Sequence, residues 1–198
     1  MSYRNFTFDK LADLFGIVLQ KENLFPEVAE IMPSAHLLES MEDAKEAAIT
    51  TEKAASEAII RPIMDEIRKR NRDIIQLFSG ESIVADKKNE LTGECDFIFA
   101  KSPYMPALKT PIITVVEAKI GKIDKAIPQA TAQMLGVRIY NQHKGTPIET
   151  IYGACTSGTE WLFLRLEHNI IYVDMERYYL GNLPLLLGIL QKVVDFYR

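Results

Sequence analysis

Pro111-Ile112-Ile113-Thr114-Val115-Val116 is an apolar run without alternation, and it ends abruptly on Glu117-Ala118-Lys119. A strand exposed on one face alternates apolar and polar residues, so this run predicts a strand covered on both faces. Glu117 and Lys119 then sit at the mouth of a core, where desolvating an unpaired charge costs several kcal/mol or more. Side chains alternate along a strand, which puts Glu117 and Lys119 on one face and Ala118 on the other. A second apolar run, Phe97-Ile98-Phe99, follows Gly93-Glu94-Cys95-Asp96. If the two strands pair, Asp96 joins the Glu117 face. Two carboxylates beside one ammonium can hold a divalent cation and place a lysine next to a developing charge.

Around these strands the periodicity switches between helix and sheet. Asp9–Lys21 carries Leu11, Leu14, Phe15, Val18 and Leu19 at the spacing of one helical face, and Asn23–Pro33 reads as a proline-bracketed connector that Ser34 could cap. Ala44–Arg70 reads as one long helix kinked at Pro62. Ile74–Asp86 reads as an interrupted strand, Lys87–Gly93 as a turn, and Ser102–Thr110, with Pro103 and Pro106, as a loop. Asp124–Gln142 returns to helical spacing through Ile127, Ala130, Met134 and Val137. Ile151–Ser157, Glu160–Leu166 and Ile170–Asp174 read as strands, and Leu185–Tyr197 as a closing amphipathic helix. This order predicts an α/β, three-layer domain with a mixed central sheet flanked by helices. We expect a single domain overall, with residues 1–38 forming a helix and connector packed on a core of residues 39–198.

The chain has 198 residues, 47% of them hydrophobic and 25% charged, the composition of one ordinary globular domain. No apolar run approaches the ~20 residues that span a bilayer, and residues 1–10 lack the order of a secretory signal. Cys95 and Cys155 stand alone in expected strands and read as reduced core residues, so a cytoplasmic protein is expected. The net charge of −4 argues against a tight non-specific nucleic-acid binder, because such binding scales with the phosphates neutralised by Lys and Arg.

The Asp96 strand followed by Glu117-Ala118-Lys119 resembles the PD-(D/E)xK nuclease superfamily, the restriction-endonuclease-like fold. The family's pattern is a helix acid, a strand Asp, an acid-x-Lys on the next strand, and often a Gln-bearing helix after it. Here Gln129 and Gln133 follow, and Cys95 stands where the family has Pro before the Asp. More loosely, nearly the whole chain is similar in layout to a group of bacterial proteins without assigned biochemistry. The resemblance implies a metal-dependent nuclease, acting on DNA in preference to RNA, with a homodimer possible in such folds. Asp96, Glu117 and the Ala118 carbonyl would bind Mg²⁺ or Mn²⁺, Lys119 would stabilise transition-state charge, and Glu57 would complete the acidic shell. Gln129 and Gln133, one helical turn apart, would position water or backbone. Substrate choice would come from loops, notably Ser102–Thr110.

Each of these residues also has a plainer role open to it. An acid-x-Lys pair often decorates a solvated strand, and Asp96 could bond a turn; Glu94 competes with it on the same face. Glu57 borders the buried face through Ile60 and Met64, while Glu52 lies in line with Ala48, Ile59 and Ile63. His36, His143 and His168 have no ligand spacing, and Arg138, His143 and Lys144 read as a solvated helix end that could touch nucleic acid. The competing function is a non-catalytic interaction module that keeps the fold and a vestigial site.

Overall fold

A computed structural model describes residues 2–102 and 107–198; positions 103–106 of the loop expected over Ser102–Thr110 lie outside the described residues. Among the described residues the core is one open, mixed eight-stranded sheet between two helical layers. Its strands are β1 (Val18–Glu22), β2 (Gln76–Asp86), β3 (Leu91–Ala100), β4 (Ile112–Ala118), β5 (Ile151–Thr156), β6 (Glu160–Glu167), β7 (Ile170–Asp174) and β8 (Tyr178–Tyr179). They lie in the order β1-β7-β6-β5-β4-β3-β2, with β8 on one end of β6. The β4–β5 and β1–β7 pairs are parallel and the rest antiparallel. All seven residues of β4 are buried, as its unbroken apolar run requires.

Helix α5 (Ile127–His143) covers one face. The other is covered by α2 (Ala35–Glu46), α6 (Leu183–Asp195) and a continuous helical rod. That rod consists of α3 (Glu52–Ala55), a π turn (Ser56–Ile60) and α4 (Arg61–Arg70). Among the described residues no helix is long and apolar enough to cross a membrane.

Three local expectations are corrected. Helix α1 covers only Phe8–Phe15, because Gly16 adopts a left-handed φ of 64° and accepts the helix end. The expected helical continuation is instead β1, an exposed edge strand, so residues 1–38 hold a strand as well as a helix and connector. The long helix expected over Ala44–Arg70 is divided at 47–51, where Thr51 caps the second piece by accepting from the Ala54 N–H at 3.1 Å. The disturbance from Pro62 appears as the π turn just ahead of it, where the Arg61 N–H reaches back to the Ser56 carbonyl. Widening the helix there relieves the clash that a proline ring makes with the carbonyl four residues earlier.

Two irregularities aim the chain ends of β3 and β4. Between Phe99 and Ala100 the β3–β4 register shifts, so that Ile113 is an extra residue in β4. This bulge lets Ile112 and Val115 both face α5 although three positions separate them. On β3, Phe97 and Phe99 pack on the α4 side while Cys95 packs on the α5 side. Residues two apart should share a face, so the ribbon twists sharply at Asp96 and its neighbour Gly80, whose φ is 70°.

Candidate active site

Asp96 stands where the β3–β4 ladder stops. The last paired residues are Phe97 and Val116, and the next N–H of β4 is taken by a side chain: Asp96 Oδ2 accepts from Ala118 N at 2.8 Å. The carboxylate is thereby fixed against the peptide between Glu117 and Lys119. Glu117 is 4% exposed and faces α5, as Val115 does. Both of its oxygens are held by α5 amides: Gln129 Nε2 donates to Oε1 at 2.5 Å and Gln133 Nε2 to Oε2 at 2.7 Å. The same Gln133 nitrogen also donates to the Glu94 carbonyl at 3.1 Å, tying α5 to β3. Gln133 Oε1 is buried with no hydrogen-bond partner among the described residues.

Lys119 is the first residue past β4 and leaves the strand alternation. Its N–H continues the parallel ladder to the Thr156 carbonyl at 2.7 Å, while its ammonium lies 2.8 Å from Glu52 at the start of α3. The helix acid that meets the lysine is therefore Glu52. Glu57 is largely exposed, 3.9 Å from Lys53, and takes part only as a lining residue of the cleft. Its place one π turn along the rod turns it from the lysine. Asp96, Glu94, Glu52 and Glu57 line this cleft of about 530 Å³, together with Arg4, Lys53, Arg61 and Ser79.

The electrostatics follow from the crowding of acids. Burial pushes the Glu117 carboxyl up to about 8, with repulsion from Asp96 the next cause. Asp96 is also raised, first by burial and further by Glu52 and Glu94, against the hydrogen bond from Ala118 and the charge of Arg4. Cys95 is held well above the ordinary thiol range by burial and by Glu117, Asp96 and Glu94. Both cysteines are buried free thiols, so neither offers a reactive thiolate.

The donor chemistry suits a hard cation. Asp96 and Glu117 could hold it, with the Ala118 carbonyl beside them, and the orphaned Gln133 oxygen adds a neutral acceptor next to Glu117. Among the described residues no three His, Cys, Asp or Glu side chains stand at metal-ligand spacing. Mg²⁺ does not require three, since it is usually bound through one or two carboxylates with water and substrate phosphate. The raised carboxyls are what two buried acids show without a neutralising charge.

The histidines stay apart from this arrangement: His168 lines a separate pocket with Arg138 and Gln142, and His36 another beside α4. The site residue that strand and helix patterns missed is Arg4, which no periodicity marks. In comparisons with known proteins, no family model matches the chain and no curated protein matches it.

Proposed function

We propose that the chain is a divalent-metal-dependent nuclease with a restriction-endonuclease-like, PD-(D/E)xK-type core. The observation that carries this reading is the Asp96 carboxylate bonded to the peptide that joins Glu117 to Lys119. That bond brings two buried acids to one backbone segment, with a lysine directly after it. Asp96 and Glu117 would hold Mg²⁺ or Mn²⁺, with the Ala118 carbonyl and Glu52 at the margin. When bound, the cation supplies neutralising charge at the phosphate and acidifies water.

The chain's own residues do the rest. Gln129 and Gln133 lock the Glu117 carboxylate in one orientation, so that no reorganisation is needed when substrate arrives. Lys119 exchanges Glu52 for the substrate and sets its ammonium against the charge that builds on the phosphate. This exchange is cheap, because the Lys119–Glu52 pair is more than a third exposed on both sides, and such pairs contribute only ~0–1 kcal/mol. Single- and double-stranded DNA and RNA, each with Mg²⁺ and Mn²⁺, form the direct test. Phosphodiester cleavage by the wild type that is lost in Asp96→Ala is expected.

A second reading has its own support. Glu117 is capped by two amides and Lys119 by Glu52, a network that is closed without any ligand. An interaction module with a vestigial site would look like this. Metal binding without cleavage of any of the four substrates would favour it.

A further inference from the structure

We infer that Arg4 is a positioning residue for a nucleic-acid phosphate at the Asp96–Glu117 site, held at the cleft by an anchor, Tyr3, seated between two glycines. This inference rests on the nuclease reading for its substrate class.

The cleft lined by Glu52, Glu94 and Asp96 carries three cations on its walls, Arg4, Lys53 and Arg61. Two of them are engaged. Arg61 donates to Asp65 at 2.8 Å and to Ser79 at 3.3 Å, and Lys53 lies 3.9 Å from Glu57. Arg4 has no hydrogen bond or ion pair among the described residues, although its charge acts on both Asp96 and Glu117. A guanidinium at that position faces carboxylates until a cation neutralises them, and is then left to attract an anion. Its planar donor fork suits a phosphate.

Arg4 is exposed, yet its position is built into the core. Tyr3 beside it is fully buried, and its hydroxyl donates to the Ile83 carbonyl at 3.1 Å. A Cβ on Gly136 would lie 2.3 Å from the Tyr3 hydroxyl oxygen. One on Gly93 would lie 2.8 Å from Ser2 Oγ and 3.1 Å from the Tyr3 ring. Gly136 lies in the interior of α5, where glycine is disfavoured, so a close packing demand explains its presence there. The seat fixes residues 2–6 across β2, β3 and α5, and Arg4 is the charged group this segment delivers to the cleft.

The experiment measures oligonucleotide binding by anisotropy with Ca²⁺ in place of Mg²⁺, steady-state cleavage with Mg²⁺, and Mn²⁺ binding by calorimetry. Wild type, Arg4→Ala, Arg4→Lys and Gly136→Ala are compared. In Arg4→Ala, KM should rise about tenfold with kcat nearly unchanged, and the log–log salt dependence of binding should flatten by about one unit, the loss of one phosphate contact. Arg4→Lys should restore the salt dependence. Mn²⁺ affinity should hold or tighten in Arg4→Ala, because a cation has left the site. Gly136→Ala, which displaces Tyr3, should copy the KM effect without touching Arg4.

If wild type binds and cleaves while Arg4→Ala shows the same affinity and salt dependence, Arg4 has no such role and the nuclease reading stands. If wild type binds without cleaving, the nuclease reading fails and the binding comparison alone decides for or against Arg4. If wild type binds no oligonucleotide, both are overturned.

Discussion

Asn141 and Gln133 are fully buried amides on the same helix, and they are finished in opposite ways. Asn141 accepts from the Ile112 N–H at 2.9 Å and donates to the Ile112 carbonyl at 2.7 Å, a closed clamp at the start of β4. Gln133 donates twice, to Glu117 and to the Glu94 carbonyl, and leaves its oxygen without a partner at the end of β4. Buried polar groups are almost always paired, so the unpaired one marks where the protein alone does not complete the chemistry. One end of the β4–α5 unit is built for stability and the other is left open.

The sharpest way to break this comparison is Asn141→Ala. It strands a buried N–H and a buried carbonyl, at ~1–3 kcal/mol each, so urea unfolding should show a loss of ~2–5 kcal/mol. Cleavage per folded molecule should not change. A loss below ~1 kcal/mol would mean that the clamp is not structural.

Lys119→Ala tests the open end. Cleavage should fall ~10²-fold or more, the scale of losing one preorganised donor, while Mn²⁺ binding persists. Lys119→Arg should rescue poorly, since a planar guanidinium does not reproduce the compact ammonium. Equal cleavage by wild type and Lys119→Ala would remove the lysine from the mechanism.

The pH dependence of the metal-free protein gives a third contrast. Glu117 is raised to about 8, chiefly by burial. A raised carboxyl contributes stability that is full below its ordinary value near 4.5 and is lost as pH rises through about 8. Denaturation midpoints should therefore fall across that window in wild type and stay flatter in Glu117→Gln. Mn²⁺ should restore wild-type stability at the alkaline end by binding only the folded state. A flat wild-type profile without metal would show that the acid is not strained.

Gln133→Leu should have the smallest effect on stability. It removes the orphaned oxygen along with the two donated bonds, so the net change should stay within ~1 kcal/mol. Mn²⁺ affinity should nevertheless drop about tenfold or more, as when a group that orients a metal ligand is lost. A stability loss as large as that of Asn141→Ala would erase the distinction between the two ends.

Much of this arrangement was legible because it follows strand and helix periodicity. The unbroken Ile112–Val116 run announced a doubly covered strand, and the spacing of Gln129 and Gln133 put both on the side of α5 that meets Glu117. The parts that were not legible depend on irregular backbone. The π turn breaks the helical phase between Glu57 and the residues used to judge its face, which is why it was preferred to Glu52. Thr51 carried a capping signal that a long apolar pattern concealed. Gly16 was the cue that Val18 and Leu19 do not extend α1; both are exposed on the edge strand. Arg4 had no local pattern at all, since its position depends on glycines 93 and 136, far along the chain.

The Tyr3 seat has an evolutionary consequence. Positions 3, 93 and 136 cannot drift independently, because any side chain at 136 occupies space that the tyrosine hydroxyl already fills. A lineage that acquires alanine at 136 must first shrink residue 3, and a lineage that keeps the aromatic ring must keep both glycines. Homologous chains should therefore divide into two sets at these three positions, with few mixtures between them, and the set retaining the ring should be the one that retains Arg4.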